Sequence, residues 1–209
     1  MTDTEIKPRR GEQTRKEILD LAEVAILEKG YAATSIDELI AQAGITKSGF
    51  FYHFQDKLDL AKALLRRDNA AIEAGLQKMF EEVEAKHPDP LDALLEGMAL
   101  YAHAAAASPT SRPGCLAAAF SYQHALFDEE MHRLVQYGVD FKHRIIRERL
   151  ERAAAKYPPR EKVDLDALAD MAIAIVQGAM IMDRVREPPP AIQPQMDLYR
   201  TYLRALFVG

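Results

Sequence analysis

The chain has 209 residues, of which 48% are hydrophobic and 28% charged, with a formal net charge of −5. That length can bury a sizeable core and carry one compact body plus a small appended module, and the composition is that of a soluble globular chain. It excludes several classes: no run reaches the roughly 18 consecutive apolar residues of a membrane span, the charged opening MTDTEIKPRR has no apolar stretch behind it and is not a secretory signal, and one cysteine, Cys115, forms no internal disulfide, as expected in the cytoplasm.

Prolines divide the chain. None occurs between Pro8 and Pro88, between Pro113 and Pro158, or between Pro159 and Pro188. Proline breaks helix interiors, so these blocks predict helices separated by loops at His87–Pro90, Ser108–Gly114, Tyr157–Lys162 and Glu187–Pro194. Sustained period-2 alternation and Asn-Gly or Asp-Gly turns are missing, so an all-α fold is expected.

In chain order, Ile18, Leu21, Ala22, Ala25 and Ile26 make the apolar stripe of a first helix, with capping-box spacing at Thr14–Glu17, an alternative start a few residues earlier, and a stop at Gly30. A second helix starts at Ser35 with the same capping spacing to Glu38, buries Ile36, Leu39 and Ile40, and ends near Gly44. Thr46 caps a short third helix, and Asp56 caps a long fourth reaching to about Ala85. Further helices are predicted over roughly 89–107, 115–126, 128–156, 164–186 and 194–207.

Bulk charge does not favour nucleic acid, because acidic residues outnumber basic ones over positions 1–60. The field at one face matters more than the sum. Residues 7–16 hold Lys7, Arg9, Arg10, Arg15 and Lys16, and residues 39–55 hold no acidic side chain.

The informative stretch is SIDELIAQAGITKSGFFYHFQDK, Ser35–Lys57. It reads as two short helices joined by a tight turn at Ala43-Gly44-Ile45, with Gly44 free to take a positive φ. The second helix presents Thr46, Lys47, Ser48 and Gly49 at its start. These small, polar or cationic residues suit close approach to phosphates and base edges. Tyr52 and His53 follow, while Phe50 and Phe54 anchor the helix.

The run Gly44–Phe54 with Asp56-Lys57, and the preceding Gly30–Gly44, resemble the helix-turn-helix of the TetR family of bacterial transcription repressors over about residues 14–60. The resemblance implies a three-helix DNA-binding domain over residues 1–55 and a larger helical ligand-binding and dimerisation domain over 56–209. It places Thr46, Lys47, Ser48, Gly49, Phe51, Tyr52 and His53 at DNA, and Thr34, Ser35 and Lys57 at phosphate. Phe51 departs from the tyrosine common there, which removes one phosphate hydrogen bond. Lys47 is the one long base-reading side chain of the recognition helix, so part of the specificity is expected from DNA shape.

For the body, the resemblance implies a small-molecule effector chamber in the middle helices. Candidate lining residues are Met98, Tyr101, Cys115, Phe120, Tyr122, His124, Tyr137 and Phe141, although ordinary core packing competes for each. Segment Ser111–Leu116 resembles a branch of the family in which a cysteine after a glycine responds to electrophiles or oxidants. A first-turn thiol near Arg112 fits that role, and inert packing is the competing reading. Residues 164–186 are apolar on more than one face, with Val176 among them, and 194–207 add Met196, Tyr199, Tyr202, Leu203, Leu206 and Phe207. Both segments fit the family's four-helix dimer interface.

The expected partners are therefore a double-stranded DNA operator, a small-molecule effector and a second copy of the chain, with no membrane. Neither a Gly-rich phosphate loop nor HExxH occurs, and pairings such as Cys115 with His103 or His124, Glu129 with His132, and Asp140 with His143 have no supporting pattern. No enzyme activity, metal or cofactor is expected. The alternative is a helical homodimer that binds ligand or protein without DNA.

Overall fold

In the computed structural model, residues 10–107, 114–187 and 192–209 are described, and every regular element among them is helical. The order is α1 (Arg10–Lys29), α2 (Ile36–Ala43), α3 (Lys47–His53), α4 (Lys57–Lys86), α5 (Pro90–Ala106), α6 (Leu116–Ser121), a 3-10 turn (His124–Leu126), α7 (Glu129–Lys156), α8 (Leu165–Val185) and α9 (Ile192–Phe207).

Side chains set most starts. Four helices of the body open on an aspartate whose carboxylate accepts backbone N–H groups: Asp56 for α4, Asp89 for α5, Asp128 for α7 and Asp164 for α8. An aspartate there satisfies orphan donors and faces the positive end of the helix dipole. Sequence-based boundaries shift in three places: the helix expected over 115–126 stops at Ser121 and is followed by the separate 3-10 turn. The first helix already runs from Arg10, which puts Thr14 inside it and not at its cap. The last begins at Ile192, so Pro194 stands in its first turn and not in the preceding loop. Proline is tolerated there because first-turn N–H groups have no intrahelical acceptor.

The chain builds two apolar clusters. One joins α1, α2 and α3 to the start of α4 through Ile18, Ala22, Leu39, Phe50, Phe54 and Leu64, and draws in Leu116 and Phe120 of α6 and Met131 of α7. The other packs the rest of α4 against α5, α7, α8 and α9 around Phe80, Leu94, Met98, Leu150, Ala172 and Tyr199. Thirty residues of α4, roughly 45 Å of helix, run through both clusters. A displacement of either end is therefore transmitted along one rigid element.

α8 is the one described helix long and apolar enough to cross a membrane by length and composition, with 39% of its apolar window buried in the fold. Asp166 and Asp170 near its start are held by His143 on α7, and Arg147 also binds Asp166. These ion pairs fasten α8 to the bundle on that side.

Candidate nucleic-acid interface and ligand cavity

α2 and α3 meet at Gly44, whose φ of 62° and ψ of 30° lie in the left-handed region. The turn is closed by its N–H to Ala41 and by Ile45 N–H to Ile40. A side chain at position 44 would be strained in that conformation. Ser35 Oγ accepts the Glu38 N–H at 3.1 Å, and Thr46 Oγ1 accepts the Gly49 N–H at 3.1 Å while lying 3.0 Å from Ser48 Oγ. Phe50 and Phe54 are fully buried, and this fixes the rotation of α3 about its axis. The opposite side carries Thr46, Lys47 and Ser48, all exposed, then Phe51 and Tyr52, the latter 82% exposed. The Tyr52 phenol is thus held out from a seven-residue helix beside Lys47 and Ser48.

The acidic excess of the first sixty residues is spent away from this face. Arg67 of α4 takes Asp20 at 2.6 Å and Glu23 at 2.8 Å, Lys29 takes Glu38, and Asp56 is occupied in capping α4. Arg15 of α1 lies 5.0 Å over the Phe54 ring, at the C-terminal end of α3. Burial, and then the Arg15 charge, push the His53 imidazole below its ordinary pKa. Arg15 thus adds a cation beside α3. The basic run 7–16 was the signal for it, but sequence could not say which member arrives there. Lys7 and Arg9 of that run lie outside the described residues.

Two residues expected at phosphate are turned inward. Thr34 is 2% exposed and donates its hydroxyl to the Gly30 carbonyl at 3.0 Å. Lys57 donates to the Ala32 carbonyl at 3.2 Å and sits 4.3 Å over the Tyr31 ring, and its burial lowers the ammonium pKa. Ser35 is the exposed hydroxyl at the start of α2.

Behind this head lies a cavity of about 550 Å³. α4 contributes Asp68, Ile72, Leu76 and Met79, α5 contributes Leu100 to Ala105 in part, α7 contributes Lys142, and α8 contributes Val176, Gln177 and Met180. Glu23 and Leu27 of α1 also reach its wall. Of the residues expected to line a chamber, Tyr101 and Cys115 do so. Cys115 stands just before α6, with no side-chain capping bond, and packs against the larger core; Ser111 and Arg112 lie outside the described residues.

The other six expected residues have different surroundings. Met98 and Phe141 are buried in the body core, and Tyr137 is exposed and donates to Glu73 at 2.6 Å. Phe120 meets Tyr31 and Phe127 edge-on, Tyr122 is exposed, and the His124 ring stacks on His132 at 3.5 Å. Phe120 and its neighbours form the seam between body and head, because α6 folds onto α1.

The model of the family described as "Bacterial regulatory proteins, tetR family" matches residues 18–64, which take in most of α1, all of α2 and α3, and the start of α4. Those residues form a TetR-family DNA-binding head. The chain is 33% identical over 82 residues to the HTH-type transcriptional repressor BepR of Brucella suis biovar 1, covering 39% of this chain and 38% of that protein. It is 34% identical over 86 residues to the HTH-type transcriptional regulator AcrR of Shigella flexneri, covering 41% and 38%. The matched stretch thus spans under two fifths of either relative. In fold, the chain is similar over 95% of its length to all of a TetR-family transcriptional regulator from Agrobacterium tumefaciens, with a TM-score of 0.77 and 22% identity.

The body leaves an apolar face on α8 and α9. Met171, Ile181, Val185, Leu198 and Tyr202 are exposed, Val185 at 76% and Leu198 at 72%. Val176, grouped with them from the sequence, points the other way: it is 1% exposed and lines the cavity. On an α-helix, positions 176 and 181 lie some 140° apart, so one charged substitution tests one face only.

Proposed function

We propose that the protein is an effector-responsive transcription regulator, acting as a cytoplasmic repressor that binds a two-fold symmetric operator as a homodimer. The observation that carries this reading is the orientation of α3: buried Phe50 and Phe54 hold it so that Lys47, Ser48 and Tyr52 face outward on a surface with no acidic residue from position 39 to 55. Small and cationic side chains at the start of such a helix can reach base edges, and Tyr52 and Arg15 can hold phosphates. Residues 1–55 supply the DNA-contacting helices, and residues 56–209 supply the cavity and the dimer face.

The route from effector to DNA in this proposal is α4. Its N-terminal end is packed under α3, and its middle forms one wall of the cavity. An effector that fits the cavity better in one α4 orientation shifts the population of head separations, and with it the roughly 34 Å match to successive major grooves. The name of BepR, an HTH-type transcriptional repressor, supports repression as the direction of control.

The test is a gel shift with the DNA flanking the protein's own gene, using wild type and Lys47→Ala. A discrete, salt-sensitive complex that weakens in the variant is expected. If no flanking fragment is preferred over unrelated DNA, the chain is a helical ligand-binding dimer that does not read DNA.

A further inference from the structure

We propose that the cavity recognises an organic anion, an apolar body carrying a carboxylate-class head group that ion-pairs with Lys142. The inference rests on the reading of this cavity as the effector chamber and adds the chemical class of the effector.

Lys142 projects from α7 into a wall made mainly of Ile72, Leu76, Met79, Val176 and Met180. It is 6% exposed. Among the described residues, no acceptor lies within hydrogen-bond distance of its ammonium group and no carboxylate lies within ion-pair distance. Its stem is buried and its ammonium faces the cavity, so an anion entering there meets a positive charge that no protein group has paired. Lys142 differs from the paired basic groups of the body, above all from Arg149, the other buried one among the described residues. Arg149 holds Glu84, Arg147 holds Glu151 and Asp166, and Lys156 holds Asp89.

The charges that surround Lys142 decide the sign of the ligand. Glu23 on α1 reaches the cavity but is already bound by Arg67. Asp68 on α4 shares the cavity and acts on Lys142 at longer range without pairing. Among the described residues, Tyr101 and His103 on α5 and Cys115 before α6 complete the titratable lining. Asp68 is partly exposed, and its carboxyl is pushed up to about 6, mostly by burial, so it can discharge by taking a proton when an anion arrives. A cationic ligand would instead set a second positive charge beside an ammonium that is already unpaired. Tyr101 and Gln177 can serve a second polar atom, and about 550 Å³ accommodates a small drug-sized body.

The experiment titrates octanoate, octan-1-ol and octylammonium, which share a tail and differ in head charge, into the full-length protein at pH 7.5 by calorimetry. Octanoate is expected to bind wild type at least about tenfold tighter than either of the others. Lys142→Met should abolish that preference while octan-1-ol binding stays within about threefold, and Lys142→Arg should keep it. Lys142→Gln serves if the methionine variant does not fold. Equal or tighter binding of octan-1-ol or octylammonium, a preference that survives Lys142→Met, or no binding of any probe each overturns the proposal. Operator binding is measured separately. Its loss with octanoate selectivity intact refutes the DNA reading alone, and the converse refutes the anion alone.

Discussion

The side-chain oxygen of Gln123 accepts the Ala32 N–H at 3.0 Å, joining the body to the head across 91 positions of sequence. Tyr31, next to Ala32, packs its ring against Phe127 at 4.8 Å and Phe120 at 6.1 Å, and Arg184 of α8 donates to the Leu27 carbonyl at 2.7 Å. Gly30 completes the seam: its φ is +86°, and a Cβ there would come within 3.1 Å of the Gln123 amide nitrogen. Gln123→Ala should cost about 1 kcal/mol of stability through one unpaired N–H. Hydrogen exchange should show the loss at Ala32 and its neighbours before the body helices. Unchanged protection of Ala32 would mean that the amide bond does not hold the seam.

Lys47→Ala and Tyr52→Ala should each weaken operator binding by about 1–3 kcal/mol with no change in thermal unfolding, because both side chains are exposed. Lys47→Ala should also lower the salt slope of binding by about one if the ammonium meets a phosphate. Normal operator affinity in both variants would remove these residues from the interface. Thr34→Val, by contrast, should act through folding: it removes the hydroxyl that binds Gly30 in a buried place, at about 1 kcal/mol.

Dimerisation through α8 and α9 predicts a clean separation of two substitutions on one helix. Val185→Glu should give folded monomers by sedimentation, since position 185 is 76% exposed in the single chain. Val176→Glu should unfold the body or collapse the cavity, because position 176 is 1% exposed and an unpaired buried charge costs several kcal/mol. A folded Val185→Glu dimer of unchanged stability would place the interface elsewhere.

Asp68 predicts a pH dependence of stability. Burial comes first among the causes that raise its carboxyl to about 6; Glu23 adds to the rise, and Lys142 and Arg67 oppose it. Raised above its unfolded value near 3.8, the group binds its proton more tightly when folded. Its contribution is therefore neutral below about pH 4 and becomes destabilising as pH rises from there through 6. Asp68→Asn should raise stability at pH 7.5 by about 1–3 kcal/mol, with the gain vanishing toward pH 4. Denaturant melts at both pH values check it. A variant less stable than wild type at pH 7.5 would show that Asp68 supports Lys142 in the empty cavity.

What sequence determined by itself is local. Ser35, Thr46 and Asp56 name their own helix starts because a capping side chain reaches only two or three residues ahead, and Gly44 names the turn because few other residues take its backbone angles. The helix-turn-helix is built almost wholly from such short-range rules, so its outward residues could be numbered in advance. Tertiary structure decided the rest. Helical periodicity says which residues share a face, not what that face meets. Val176 and Ile181 are both apolar on α8, yet one lines the cavity and the other stays exposed. Phe120 looks like a chamber residue until α6 folds onto α1 and makes it part of the seam, and His124 instead stacks on His132 at the surface. Thr34 and Lys57 turn inward toward Gly30 and Ala32, contacts invisible to any spacing rule. Lys142 is one lysine among many in the sequence, and only the packing of α4, α7 and α8 around it buries its stem and sets its ammonium at the cavity without a protein partner.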